Sequence, residues 1–371
     1  MRVCLVALHF AEYTARLALE LARHHEVQIH LSETNAEMEL SADLWTELER
    51  STHLVRHQRP VRKLALFQGF RLAALILRFR PDVIHAQEAG AWTLLAMLIL
   101  MPFRPPFVLT VHDPLPHTGI DQLARARTRL ANSRLRKWAN KIIVHGSSAA
   151  KDMITAEPST AGRIHSVEHG ILGKFVTTNV DPGIASFLFF GRIQAYKGLG
   201  ILIQACAILS KRGLCYRATI AGRGPDLDVH RSEIAANPLL ILDERFIPPE
   251  EVPLLFCRAT AIVMPYLDAT QSGVAAHAFS ARRPIIASRV GGLPDIIEEG
   301  MNGLLVPPGD ADALADAMSM LVTDKDLAAR LAAGAEMTAS SKLSWQHIAQ
   351  ETVKVYASAK GGGAVVSKTA E

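Results

Sequence analysis

The stretch FFGRIQAYKGLGILIQA, Phe189 to Ala205, sets two cations between two glycines. Arg192 and Lys197 follow an apolar run that ends at Gly191, and Gly198 opens a helical pattern. A guanidinium forks onto two phosphate oxygens, while an ammonium supplies a compact positive point. Gly191 and Gly198 let the backbone approach whatever the cations hold. The chemistry on offer is anion binding at a strand-to-helix turn. Two solvated cations flanking a turn are the competing interpretation.

A second stretch, PYLDATQSGVAAHAFSARRPIIASRVGGLPD, begins where an apolar run ends at Tyr266. The pattern predicts a helix from about Ser272–Gly273. Its first-turn amides and dipole favour an anion, and Gly273 removes a side chain where a phosphate must approach. His277 lies one turn further on the same face, within reach of a ribose or sugar hydroxyl. Gln271 and Ser272 read equally as ligand contacts or as helix caps. AGRGPD (Ala221 to Asp226) is a glycine turn suited to close backbone passage, but it lacks the third glycine of a dinucleotide fingerprint. GGLP (Gly291 to Pro294) is a similar turn with Pro294 at a helix start, and both read as architecture before chemistry. In LTVHDPLPHTG, His112 and Asp113 stand just past another apolar run. His9, His85 and His145 share that placement. DLD (Asp226 to Asp228) and DAD (Asp310 to Asp312) match a DxD pattern by letter, yet both stand at expected helix starts, where Asp caps amides. With no HExxH or Cys/His motif, no metal and no other cofactor is expected.

These residues need a scaffold that brings strand ends together. Apolar runs alternate with helical patterns, as in RVCLVAL, TARLALELARH and EVQIHLS from Arg2 to Ser32. Later runs are PDVIHAQ, PFVLTVHD, KIIVHGS and IHSVEHG. Such alternation predicts parallel βαβ units buried on both faces. FVTTNVDPGIA (Phe175 to Ala185) breaks the pattern and reads as a linker. A second series then starts at SFLFFG and runs to the helix DADALADAMSMLV. The expected fold is α/β, two tandem doubly wound Rossmann-like domains over residues 1–178 and 184–343 with a cleft between them. Ligands in open α/β sheets sit outside the carboxyl ends of the strands, which is where the candidate residues stand. A helix over 344–359 is expected to pack back on the first domain, and 360–371 to form a mobile tail.

Composition agrees. The chain has 371 residues, 49% apolar and 20% charged, ordinary for globular protein and too long for one typical core. AWTLLAMLILMPF (Ala91 to Phe103) is too short to span a bilayer and reads as a buried helix. Four cysteines without CxxC spacing read as buried, reduced thiols of a cytosolic protein. Residues 1–170 carry 21 Lys/Arg against 16 Asp/Glu, concentrated in Arg56–Lys63 and Arg125–Lys141. That excess reads as a solvated face or as a patch for anionic lipid or a phosphate-bearing acceptor. Nucleic acid is not expected, because no stacking pattern accompanies the charge.

Taken together and in this order, the Arg/Lys loop, the AGRGP turn, the segment from Pro265 to Asp310 and the closing helix resemble a GT-B glycosyltransferase of family 4. The resemblance covers nearly the whole chain and is looser in the first half. It implies a retaining enzyme with a nucleotide-sugar donor bound mainly by the second domain. It assigns the diphosphate to Arg192 and Lys197, the phosphate-facing helix start to Gly273 and Val274, and the base-reading segment to ERFIPPEEV around Phe246 and Ile247. His112 matches the histidine near the transferred sugar. Retention and the absence of a protein base also come from the resemblance. The family often carries two glutamates eight positions apart; aligning on Pro284 puts Ala269 and His277 there, and TQSGV replaces the usual EGFG-like stretch. Either His277 or Gln271 then takes over the ribose contact, or sugar recognition differs from the family's. LHFAEYT stands where a glycine-rich loop is usual, so the acceptor side is open, with His9, His85 and Asp113 as candidates. The basic first domain favours a glycan or lipid-linked acceptor at the inner membrane face, in polysaccharide or glycolipid assembly. A donor-binding scaffold subunit and a sugar epimerase of the same fold are the alternatives.

Overall fold

The computed structural model describes residues 1–58, 65–88, 91–103, 105–115, 129–173, 183–269 and 272–360. Gln271, most of the expected linker and the expected tail lie outside them. Seven parallel strands form the first sheet: β1 (Arg2–Ala7), β2 (Glu26–Ser32), β3 (His53–His57), β4 (Val83–Gln87), β5 (Phe107–Val111), β6 (Lys141–Val144) and β7 (Ile164–Ser166). Their order is β3-β2-β1-β4-β5-β6-β7. The second sheet has six parallel strands: β8 (Ala185–Phe190), β9 (Tyr216–Ala221), β10 (Leu240–Asp243), β11 (Ala261–Met264), β12 (Ile285–Ser288) and β13 (Gly303–Val306). Their order is β10-β9-β8-β11-β12-β13. Each sheet therefore reverses direction once, between β1 and β4 and between β8 and β11. Those two switch points are the crevices where such sheets bind ligands.

Central strands such as VCLVA and FLF are buried on both faces and packed by amphipathic helices. Edge strand β3 (HLVRH) has a single buried position, so no apolar run announces it. β10 is only four residues long with Ile241 exposed, so the short apolar run Leu239–Leu242 does not by itself mark a strand. Three cysteines are buried, but Cys215 is exposed, because it stands in the turn between a helix and β9. Arg136 also departs from the expected basic surface. It turns inward and forks onto Glu88.

The helix Trp345–Lys360 lies against the first sheet, placing Ile348, Val355 and Tyr356 in its core. Tyr356 Oη meets His85 Nδ1 at 2.7 Å, and His85 Nε2 meets Thr110 Oγ1 at 2.7 Å. His85 is therefore fully buried with both nitrogens satisfied. Its expected place on the acceptor side gives way to a structural one. Tyr356→Phe deletes the partner of a buried imidazole nitrogen, and denaturant unfolding should show a loss of about 1–3 kcal/mol.

Candidate active site

At the β8/β11 switch point, two loops face each other. After β8 the chain turns through Gly191, at φ +106°, to Arg192 and a short 3-10 turn ending at Lys197. After β11 it runs through Tyr266 and Ala269 to the helix Gly273–Ser280. Together they enclose a cavity of about 320 Å³ lined by Gly191, Arg192, Lys197, Ser272, Gly273, Val274 and His277, with Phe190, Tyr196, Tyr266 and Ala269. Seven of the expected donor residues thus meet in one space.

Lys197 is only 7% exposed. Its ammonium reaches the Phe190 carbonyl at 3.4 Å and lies 5.4 Å above the Tyr266 ring. A Cβ on Gly191 would stand 2.9 Å from it, so glycine is what leaves room for the ammonium. No carboxylate among the described residues pairs with this cation. Burial, with a smaller push from Arg192, lowers its pKa to about 8, and Tyr196 opposes the shift. A buried cation held without a counter-charge is poised for an anionic ligand. Arg192 is exposed at the mouth.

Across the cavity, Ser272 opens the helix without a side-chain cap. Its carbonyl accepts from the Ala275 and Ala276 amides, while the Gly273 and Val274 amides bond to no described residue. Those two amides, the helix dipole and Lys197 converge on one space. Tyr266, which sequence reasoning missed, lines the floor; its hydroxyl is buried near Ser272 and completes no hydrogen bond with a described residue. Residues this close to a strand end and this apolar carry no sequence mark of their own.

Because an anion prefers the ammonium form, affinity for a diphosphate should fall as pH rises through about 8. Calorimetric titrations with a nucleoside diphosphate between pH 7 and 9.5 check this, and a pH-independent affinity would remove Lys197 from the site.

A second cavity, of about 270 Å³, adjoins the first at His277 and lies between the sheets. Phe246 and Ile247 line one side; Glu12, Arg16 and Glu39 line the other. Phe246 is half exposed and Ile247 buried. Glu12, within LHFAEYT, accepts from the Arg16 guanidinium at 2.8 Å and from the Gly173 amide at 2.6 Å. Burial raises the Glu39 pKa and lowers that of His277; Glu12 opposes the latter shift. Glu12, Arg16 and Glu39 were not foreseen, since nothing local in sequence points them at the second domain.

His112 lines neither cavity. It is 5% exposed, bonds Gln87 Oε1 through Nε2 at 2.8 Å, and has the Phe10 ring stacked on it at 3.7 Å. Phe10 holds that position with a left-handed backbone, φ +63°, a strained state for a bulky residue. His9 is exposed and Asp113 half-buried, and both stand outside the two cavities. Of the two DxD stretches, Asp310 caps its helix through the Ala313 amide and Asp228 pairs with Arg231.

Two family models match the chain. One, described as glycosyl transferases group 1, matches residues 185–324. The other, described as glycosyltransferase family 4, matches residues 11–171. A D-inositol 3-phosphate glycosyltransferase of Salinispora arenicola is 28% identical over 248 residues, 60% of this chain and 55% of its own. The chain thus spans little more than half the length of that relative. A glycogen synthase of Mycobacterium tuberculosis is 28% identical over 295 residues, 76% of this chain and 70% of its own. Among solved structures, Anabaena HepE in complex with UDP and glucose has a TM-score of 0.72 at 19% identity, covering 96% of this chain and 100% of that one. Sucrose-phosphate synthase from Thermosynechococcus elongatus has a TM-score of 0.74 at 17% identity, covering 96% and 98%. The two sheets and their order are those of the tandem Rossmann-like GT-B fold.

Proposed function

This chain belongs to the group 1, family 4 glycosyltransferases, and we infer that it moves a sugar from a nucleoside diphosphate donor to a glycan or lipid-linked acceptor with retention at the anomeric carbon. The observation that carries this is the buried, uncompensated Lys197 facing the Gly273 and Val274 amides. In the proposed reaction the bond from the anomeric carbon to the leaving phosphate oxygen breaks through an oxocarbenium-like state. Lys197, Arg192 and the helix start take up the charge that grows on the diphosphate. A new bond forms from the anomeric carbon to the acceptor oxygen, and the acceptor proton passes to the leaving phosphate. The described residues lining that cavity include no carboxylate, which favours this course over a covalent glycosyl-enzyme. Phe246 and Ile247 are assigned the base, and His277 and Gln271 the ribose or sugar hydroxyls. His112 contacts the transferred sugar only if Phe10 leaves its face. UDP and glucose, present in the Anabaena structure, are the first donor components to try.

The membrane part rests on exposed apolar side chains. Leu66, Phe67 and Phe70 share one face of the helix Ala65–Phe79, and Phe103 and Leu130 are exposed on helical segments nearby in the first domain. Exposed large apolar side chains of this kind, in a first domain that carries the excess of Lys and Arg, suit an anionic lipid surface. Arg59–Lys63 and Arg125–Thr128 of the basic stretches lie outside the described residues. No helix among the described residues is long and apolar enough to cross a membrane.

The test is transfer of label from nucleotide sugars into a bacterial lipid extract, with the anomeric configuration of the product read by NMR. A labelled lipid of retained configuration supports the proposal, and an inverted product refutes the retaining course. Donor binding without any transfer would favour the scaffold alternative, and turnover without acceptor the epimerase. Phe67→Ser/Phe70→Ser should reduce sedimentation with phosphatidylglycerol vesicles; unchanged sedimentation removes that face.

A further inference from the structure

Three neighbouring strands of the first sheet end in histidine. His112 follows β5 directly, His145 follows β6 directly, and His169 stands three residues past β7. Parallel register sets Val111 beside Val144 and Val144 beside Ser166, so the strand ends are level. The rings stand 4.8 Å (His112–His145), 5.0 Å (His145–His169) and 5.9 Å (His112–His169) apart between centroids. One nitrogen from each lies within 4.8 Å of the others.

Each imidazole is also oriented by an oxygen acceptor. His112 Nε2 meets Gln87 Oε1 at 2.8 Å, His145 Nδ1 meets the Val167 carbonyl at 2.9 Å, and His169 Nδ1 meets the Gly170 carbonyl at 2.8 Å. A carbonyl oxygen only accepts a hydrogen bond, so those nitrogens are the N–H donors. The lone pairs then sit on Nδ1 of His112 and on Nε2 of His145 and His169. Metal-bound histidines are held in this way, one nitrogen fixed by an outer acceptor and the other facing the ion. The Tyr13 ring packs against all three at 5.0–5.2 Å, walling the cluster.

We propose that His112, His145 and His169 form a binding site for one divalent transition-metal ion of the Zn2+ class, with three nitrogen ligands and a further open position. Imidazole sets of this kind suit zinc and its neighbours over calcium or magnesium. Asp113 lies close enough to act on both His112 and His145 and adds negative charge to the surroundings. The three histidines are far apart in sequence, which is why no metal-binding spacing marks them. The proposal goes beyond sugar transfer and touches that reading only at His112, whose Nε2 is held by Gln87 and whose Nδ1 cannot serve a metal and a sugar together. A metal on Nδ1 would make His112 a ligand that ties three strand-end loops together and takes it away from the sugar.

The experiment uses the full chain without a histidine tag, dialysed against a chelator and titrated with Zn2+ in competition with a chromophoric chelator. Wild type should bind one Zn2+ per chain, at least tenfold more tightly than His145→Gln and His169→Gln, and Zn2+ should raise the melting temperature of wild type alone. His169 is only half-buried, so its variant supplies a folded comparison, checked by circular dichroism, if the His145 variant is unstable. The buried pair His30 and His57, 2.9 Å apart, is the control. If His169→Gln competes as well as wild type, or if the tight Zn2+ is lost in His30→Gln instead, the proposal is overturned.

Discussion

Lys197→Met is expected to lower kcat/KM for nucleotide-sugar turnover by roughly 10²–10³ while raising the thermal stability of the unliganded protein. Both effects have one cause. The ammonium is buried, has no carboxylate partner among the described residues, and has its pKa pushed from 10.5 down to about 8. A folded pKa below the unfolded value means that the unfolded chain holds more protons between about pH 8 and 10.5. Stability therefore rises with pH across that window. Below it, the charged lysine costs the fold on the order of 3 kcal/mol. Methionine fills similar space without the charge. A diphosphate ligand reverses the balance, because its negative charge compensates the cation in a low-dielectric cavity. Melting curves at pH 7, with and without a nucleoside diphosphate, check both halves. Wild type should be the less stable protein alone and the more strongly stabilised one with ligand. A variant that turns over normally would show that Lys197 is a satisfied structural cation.

The second large effect is steric. Gly198 and Gly213 have the same left-handed backbone, φ +71°. A Cβ on Gly198 would fall 2.0 Å from the Pro265 carbonyl oxygen, whereas one on Gly213 meets nothing within 4 Å. Gly213→Ala should cost only the conformational penalty, about 1–2 kcal/mol. Gly198→Ala should cost at least about 3 kcal/mol, because the backbone before Tyr266 must move. That movement also displaces Lys197 and the floor of the cavity, so donor affinity should fall with stability. Urea unfolding of the two variants makes the comparison. Equal losses would mean that the contact between the two switch-point loops is not what fixes the site.

Those loops were legible in sequence for a physical reason. A phosphate site needs cations, glycines and a helix start, and Arg192, Lys197, Gly273 and His277 advertise themselves by type and spacing. β1 and β8 were legible because strands buried on both faces are largely apolar, and β2 because Val27, Ile29 and Leu31 alternate with polar residues. β3 was not, since HLVRH mixes polar and apolar residues at a solvated edge, and β10 was not because its apolar run, Leu239–Leu242, is too short to tell strand from helix by pattern alone. Tyr266, Glu12 and Arg16 were hidden because tertiary packing, not local pattern, turns them to the cavities. His85 and His112 show the reverse. Their strand-end placement is shared by chemistry and by architecture, and only the partners distinguish the two: Tyr356 and Thr110 occupy both nitrogens of His85, while Phe10 covers His112.

The most direct measurement is nucleoside diphosphate release from a panel of nucleotide sugars, with and without membrane lipid extract, by wild type and by Arg192→Ala/Lys197→Ala. One donor should be consumed by wild type, faster with extract, and release by the double variant should fall at least a hundredfold. Equal release by both proteins, or no release from any donor under either condition, would contradict the assignment of this cavity to a departing diphosphate.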